Sequence, residues 1–176
     1  MKVLLLGARG AGKTTCCEKT ISILKKKGVR CYGFLTRRTE GGFMISDVES
    51  EESTELAGAV EGEGERIGKY LFFSRGIEFG IKAMKKKGDL CFIDELGALE
   101  LDGKGFFRAL SLIREKDDVI ITCRDKFCVE MQEMLCMDLY ECRISMDNRD
   151  VMPEILCAKY LCEKGSFCYG DSRDKD

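Results

Sequence analysis

The run Lys2-Val3-Leu4-Leu5-Leu6-Gly7-Ala8-Arg9-Gly10-Ala11-Gly12-Lys13-Thr14-Thr15 decides the fold. Residues 2 to 6 form a short apolar stretch, the pattern of a buried strand. From Lys13 onward Cys17, Thr20, Ile21 and Leu24 recur at spacings of three and four, which is one face of a helix. Between them, Gly7 to Thr14 satisfies the pattern Gly, four residues, Gly, Lys, then Ser or Thr. Chance produces such a string in about one per cent of chains this size, and the strand before it and helix after it narrow that further. Glycines at the strand-to-helix junction let consecutive backbone N–H groups and the positive end of the helix converge on one anion. Gly7, Ala8, Arg9, Gly10, Ala11, Gly12, Lys13, Thr14 and Thr15 are therefore expected to cradle the phosphates of a nucleoside triphosphate such as ATP or GTP. Lys13 would neutralise the β- and γ-phosphates, and the Thr14 hydroxyl would coordinate Mg2+.

Outward from this loop the chain alternates. The first helix is expected to end at Lys25-Lys26-Lys27-Gly28, with cations at its negative end and glycine as a left-handed cap. A second helix, with Ile77, Ile81 and Met84 as its stripe, repeats the device at Lys85-Lys86-Lys87-Gly88, and both lysine runs read as solvated caps. Strands follow each cap, at Cys31 to Thr36 and at Leu90 to Ile93. Helical spacing returns at Phe106, Leu110 and Ile113, a strand at Val119 to Thr122, a helix at Cys128, Met131 and Leu135, and a strand at Leu139 to Ser145. Pro153 marks a last helix start. Gly42 to Val48 and Gly68 to Phe73 read as extended, and the acidic, glycine-containing residues 49 to 65 as a mobile surface loop that includes Glu61 and Glu63. The expected fold is α/β, a mostly parallel sheet with helices on both faces and a small β insertion. One domain spans 1–163, with the insertion at about 37–73 and a frayed polar tail over 164–176.

Composition closes other routes. With 29 basic against 31 acidic side chains the net charge is -2, so no overall field draws nucleic acid or an anionic membrane. No apolar run approaches a membrane span, and the one at residues 3 to 6 is far shorter than a signal-peptide core. The 11 cysteines are scattered and include no Cys-x-x-Cys pair, which argues for core thiols in a reducing cytoplasm rather than a disulfide framework or a zinc site. There is no histidine, so a general base must be a carboxylate, a lysine, a tyrosine or a cysteine.

Leu90-Cys91-Phe92-Ile93-Asp94-Glu95 supplies two carboxylates at the end of an apolar strand beside the phosphate loop. Asp94 is expected to hold the water shell of Mg2+, and Glu95, one residue further out, to orient or deprotonate a water for in-line attack on the γ-phosphorus. Charge on the transferred phosphoryl group calls for a cation. Arg9, Arg37, Arg38, Arg66, Lys69, Arg124 and Arg149 are candidates, with Arg124 and Arg149 favoured because they follow late strands. Asn148 and Arg149 are candidates to read and stack on the base, or Asn148 and Asp150 to cap the next helix. Hydrolysis is the leading reading. A nucleotide or nucleoside kinase, and a nucleotide-dependent accessory protein with an unidentified protein partner, are the alternatives.

The ordered segments Gly7 to Thr15, Gly33-Phe34 with Thr36, Gly41-Gly42-Phe43, Arg66-Ile67-Gly68-Lys69-Tyr70, Ile93-Asp94-Glu95-Leu96-Gly97 with Glu100-Leu101, and Asn148-Arg149-Asp150 carry a wider likeness. Over most of residues 1 to 158 the chain resembles the small nucleoside-triphosphatase family named from its thermophilic members, which includes the human cancer-related nucleoside-triphosphatase. The resemblance implies a RecA-like P-loop fold and slow, magnesium-dependent hydrolysis of the terminal phosphate with broad tolerance of the base. It gives Lys13, Thr14, Asp94 and Glu95 the roles already argued for them. The chain departs from the family at Ala98, where a lysine is usual, and at Arg37-Arg38-Thr39, where an acid followed by an arginine is usual.

Overall fold

The computed structural model describes residues 1–60 and 64–165. Its strands are β1 (Lys2–Leu6), β2 (Cys31–Arg38), β3 (Gly42–Asp47), β4 (Ser53–Gly58), β5 (Gly64–Ile67), β6 (Tyr70–Phe73), β7 (Leu90–Leu96), β8 (Val119–Cys123) and β9 (Tyr140–Arg143). Its helices are α1 (Lys13–Lys26), α2 (Ser74–Lys85), α3 (Ala98–Leu101), α4 (Leu110–Arg114), α5 (Cys128–Leu135) and α6 (Met152–Glu163). All nine strands join one sheet in the order β5-β6-β4-β3-β2-β7-β8-β1-β9. The run β2-β7-β8-β1-β9 is parallel, and β3 to β6 extend it as antiparallel strands.

Apart from the edge strand β9, the parallel strands are largely buried on both faces, so successive residues feed two cores. Leu4 and Leu6 of β1 join Cys91 and Ile93 of β7, Ile77 and Met84 of α2, Phe106, Ile113 of α4 and Met131 of α5 on one face. Val3 and Leu5 join Leu90 and Phe92, Cys17, Ile21 and Leu24 of α1 and Leu156 and Leu161 of α6 on the other. The strand carrying Asp94 reaches the phosphate loop, as its position after an apolar run led us to expect, without pairing with β1. β8 lies between them, because apolar pattern alone does not encode the order of parallel strands.

Other details differ from expectation for local reasons. Residues 49 to 65 are not one loop: Ser53–Gly58 pairs with β3 and β6, and Glu55 is held by Arg75. Glu61 and Glu63 lie outside the described residues. Gly68 to Phe73 is not one strand, since Gly68 takes φ +56 and turns β5 into β6. Helical spacing at Phe106 to Ile113 is realised as a 3-10 turn, Gly105–Ala109, followed by α4. Gly28 adopts φ +82 after α1, as a left-handed cap does. Each lysine run also ties its helix to the segment at the end of β3 instead of standing wholly in solvent: Lys25 donates to the Val48 carbonyl at 2.7 Å, and Lys86, in extended backbone, bonds Asp47 and Glu49 at 2.9 and 3.0 Å. Of the tail, Lys164 bonds Asp118 at 2.6 Å, and residues 166–176 lie outside the described part. No helix among the described residues is long and apolar enough to cross a membrane.

Candidate active site

The loop between β1 and α1 is shaped by its glycines. Gly10 and Gly12 take φ +81 and +99, which favours residues without a Cβ. Gly7 packs on the end of β9 so closely that a Cβ would stand 2.7 Å from Ile144 Cγ2 and 2.8 Å from its carbonyl oxygen. The first turn of α1 carries no acidic residue and no side-chain cap, which leaves its positive end open to an anion. A cleft of about 270 Å3 opens there, lined by Arg9, Gly10, Gly12, Lys13, Thr14, Thr15 and Glu95. Buried Lys13 Nζ donates to the carbonyls of Gly7 at 2.9 Å and Ala8 at 3.2 Å, so the loop's own oxygens hold the ammonium over the cleft.

Asp94 meets this loop from β7. It is fully buried and accepts four hydrogen bonds: from Thr14 Oγ1 at 2.8 Å, Thr36 N at 3.0 Å, Thr36 Oγ1 at 3.1 Å and Thr122 Oγ1 at 2.6 Å. Burial pushes its carboxyl above the usual range, against the lowering effect of the bonds from Thr122, Thr36 and Thr14. All four donors are neutral, so a carboxylate here carries charge that no side chain bonded to it offsets. An all-oxygen pair, the Thr14 hydroxyl and the Asp94 carboxylate, fits a hard divalent cation such as Mg2+.

Glu95 points into the cleft from a backbone with φ +62, and Oε1 accepts from Arg124 Nε at 2.8 Å. Arg124 Nη2 is also 2.8 Å from Oε1. Of the cations expected from the sequence, Arg9 lines the cleft, Arg124 lies on Glu95, and Arg149 runs past Gly12, 3.9 Å from where a Cβ there would stand. The others are engaged elsewhere: Arg37 with Glu18, Arg38 with Tyr70, Arg66 with the Val60 carbonyl at 3.4 Å, and Lys69 over the Tyr70 ring. Asn148 accepts from Ser145 N at 2.8 Å and donates to the Arg143 carbonyl at 2.9 Å. Both ends of its amide thus close the loop after β9, and α6 starts without a side-chain cap from Asn148 or Asp150.

Three further residues belong to the site. Thr36 and Thr122 bond Asp94, and no sequence period marks them. Glu100 is 1 % exposed and accepts from Gly97 N at 2.8 Å and Phe106 N at 3.2 Å, fastening the segment that follows Glu95. Burial pushes its carboxyl from 4.5 up to about 7. The folded chain therefore keeps a proton that the unfolded chain releases, so stability falls as pH rises from 4.5 to about 7 and levels off above. Glu100→Gln does not titrate. Its urea-unfolding free energies near pH 5 and pH 7.5 should differ by about 2 kcal/mol less than those of the wild type. Equal pH dependence in both proteins would remove Glu100 as the source.

A family model described as NTPase matches residues 2–157. The nucleoside-triphosphatase THEP1 of Caldivirga maquilingensis is 33% identical over 153 residues, 84% of this chain and 88% of that protein. The protein of the same name from Archaeoglobus fulgidus is 35% identical over 127 residues, 69% of this chain and 76% of that one. The crystal structure of THEP1 from Aquifex aeolicus shares the fold, with TM-score 0.71 over 91% of this chain and 99% of that one at 22% identity.

Proposed function

The chain belongs to the NTPase family and is a nucleoside-triphosphate hydrolase, and we propose that it acts with Mg2+, uses Glu95 as its base, and accepts any of the common bases. The observation that carries this is the 2.8 Å bond from Thr14 to Asp94, which joins the phosphate loop and the acidic strand end at one cleft that Glu95 also lines. On nucleotide arrival the backbone N–H groups of Gly7 to Thr15 receive the phosphates, and Lys13 exchanges the Gly7 and Ala8 carbonyls for β- and γ-phosphate oxygens. Thr14 and Asp94 would hold Mg2+, which when bound neutralises charge on those oxygens. Glu95 takes a proton from the attacking water as its oxygen bonds the γ-phosphorus. The bond to the bridging oxygen breaks, and the nucleoside diphosphate leaves with that oxygen. Arg124, already on Glu95, joins Lys13 as a cation for charge developing on the phosphoryl group.

Weak choice of base follows from the loop after β9. With the Asn148 amide closed onto backbone, Arg149 and the 63 % exposed Met146, whose Sδ accepts from Arg149 Nη1 at 3.4 Å, offer a face for stacking and no base-specific edge. The buried free thiols suit a reducing compartment, and we place the protein in the cytoplasm. Phosphate release from ATP, GTP, CTP and UTP is the test. We expect kcat/KM values within about tenfold of one another, since stacking discriminates by only about 1 kcal/mol, and no release in EDTA. Triphosphate loss that requires an added monophosphate or nucleoside would make the protein a kinase instead.

A further inference from the structure

β7 and β8 run in register from Cys91 against Val119 to Ile93 against Ile121, and resume with Leu96 against Cys123. Three residues advance on β7 while two advance on β8. Asp94 and Glu95 therefore stand opposite Thr122 alone, and the extra residue is a β-bulge. The bulge puts Glu95 at φ +62, a left-handed conformation that strains a residue with a Cβ. It also takes the Glu95 N–H out of the ladder. The acceptor this N–H finds is Thr122 Oγ1, at 2.7 Å. A threonine hydroxyl has one proton, and Thr122 gives its proton to Asp94 Oδ1 at 2.6 Å. One orientation satisfies both bonds, and Thr122 is fully buried, so water does not compete for either.

We propose that Thr122 is a positioning residue for hydrolysis: its hydroxyl locks the Glu95 backbone against Asp94, so that the two carboxylates keep one fixed spacing. The proposal rests on the reading of Glu95 as base. Asp94 belongs to the cation side of the cleft and Glu95 to the water side, and one buried oxygen is bonded to both residues. Without it the strained backbone at Glu95 loses its tie and relaxes, moving the carboxylate off the line of attack. A displacement of about 1 Å in such a group costs up to about a hundredfold in rate.

Serine can make both bonds, whereas valine keeps the shape and makes neither. Thr122→Val should lower kcat by about ten- to a hundredfold while KM moves less than about threefold, and Thr122→Ser should retain most of the rate. A second readout needs no nucleotide. Amide hydrogen exchange at Glu95 in the free protein should be slow in the wild type and in Thr122→Ser, and at least about tenfold faster in Thr122→Val, with Ile93 and Ile121 unchanged. Wild-type kcat in Thr122→Val, no rescue by serine, or a wild-type Glu95 amide that exchanges like an exposed loop amide would each overturn the proposal. If Thr122→Val does not fold, Thr122→Ala and the wild-type exchange rate carry the same decision. The failures are separable: full turnover in Glu95→Gln removes the base, whereas lost turnover there with normal turnover in Thr122→Val removes only the positioning role.

Discussion

Glu95→Gln should lower kcat by about a hundred- to ten-thousandfold while nucleotide affinity stays within about threefold of wild type. Glutamine is close to glutamate in size and its carbonyl oxygen can still accept from Arg124, which now bonds Oε1 at 2.8 Å. The left-handed backbone and the bond from Glu95 N to Thr122 need no charge on the side chain. What the variant lacks is basicity, the one property that removing a proton from water requires. Lys13, Thr14 and the loop amides, to which we assign binding, are untouched. Single-turnover phosphate release together with calorimetric titration of nucleotide separates the two quantities. Unchanged turnover would mean that another group activates the water, and a matching loss of affinity would mean that Glu95 binds rather than catalyses.

Gly33→Ala should destabilise the fold by about 3–5 kcal/mol, a large part of what a domain this size has. Gly33 sits within β2 at φ +101, and a Cβ there would stand 2.1 Å from the Phe92 carbonyl oxygen and 2.9 Å from its nitrogen. Both opposing atoms are backbone of the neighbouring β7, so no side chain can swing aside, and the positive φ adds strain of its own. To admit a methyl group, β2 and β7 must part just below the site. Thr36 lies three residues further along β2 and bonds Asp94 through both its N–H and its hydroxyl, so the same movement loosens the carboxylate. Urea denaturation gives the free-energy difference. A variant with the wild-type midpoint would show that this close approach is not a constraint on the chain.

These two positions differ in how far they can be read without coordinates. Glu95 follows Asp94 at the end of an apolar run, a local pattern with chemical meaning. Gly33 is a glycine in the apolar first half of its strand, and its reason is a carbonyl oxygen some sixty positions away in sequence. The acidic stretch after Val48 misleads for a similar cause. Ser53–Gly58 has little apolar content, yet it is a strand because β3 and β6 flank it and satisfy its backbone. Asn148 looks like a free amide next to an arginine, but Ser145 and Arg143 of its own loop consume both of its ends.

Sequence by itself determined the phosphate loop, the alternation of strand and helix around it, and the Asp94-Glu95 pair, because each depends on consecutive residues and on the two periods of secondary structure. Tertiary structure alone decided that β8 lies between β1 and β7, that a bulge turns Glu95 into the cleft, and that Thr36 and Thr122 bond Asp94. Those relations join atoms on different strands. Strand order and register come from the packing of both faces of the sheet at once, and neither is encoded in any short window of the chain.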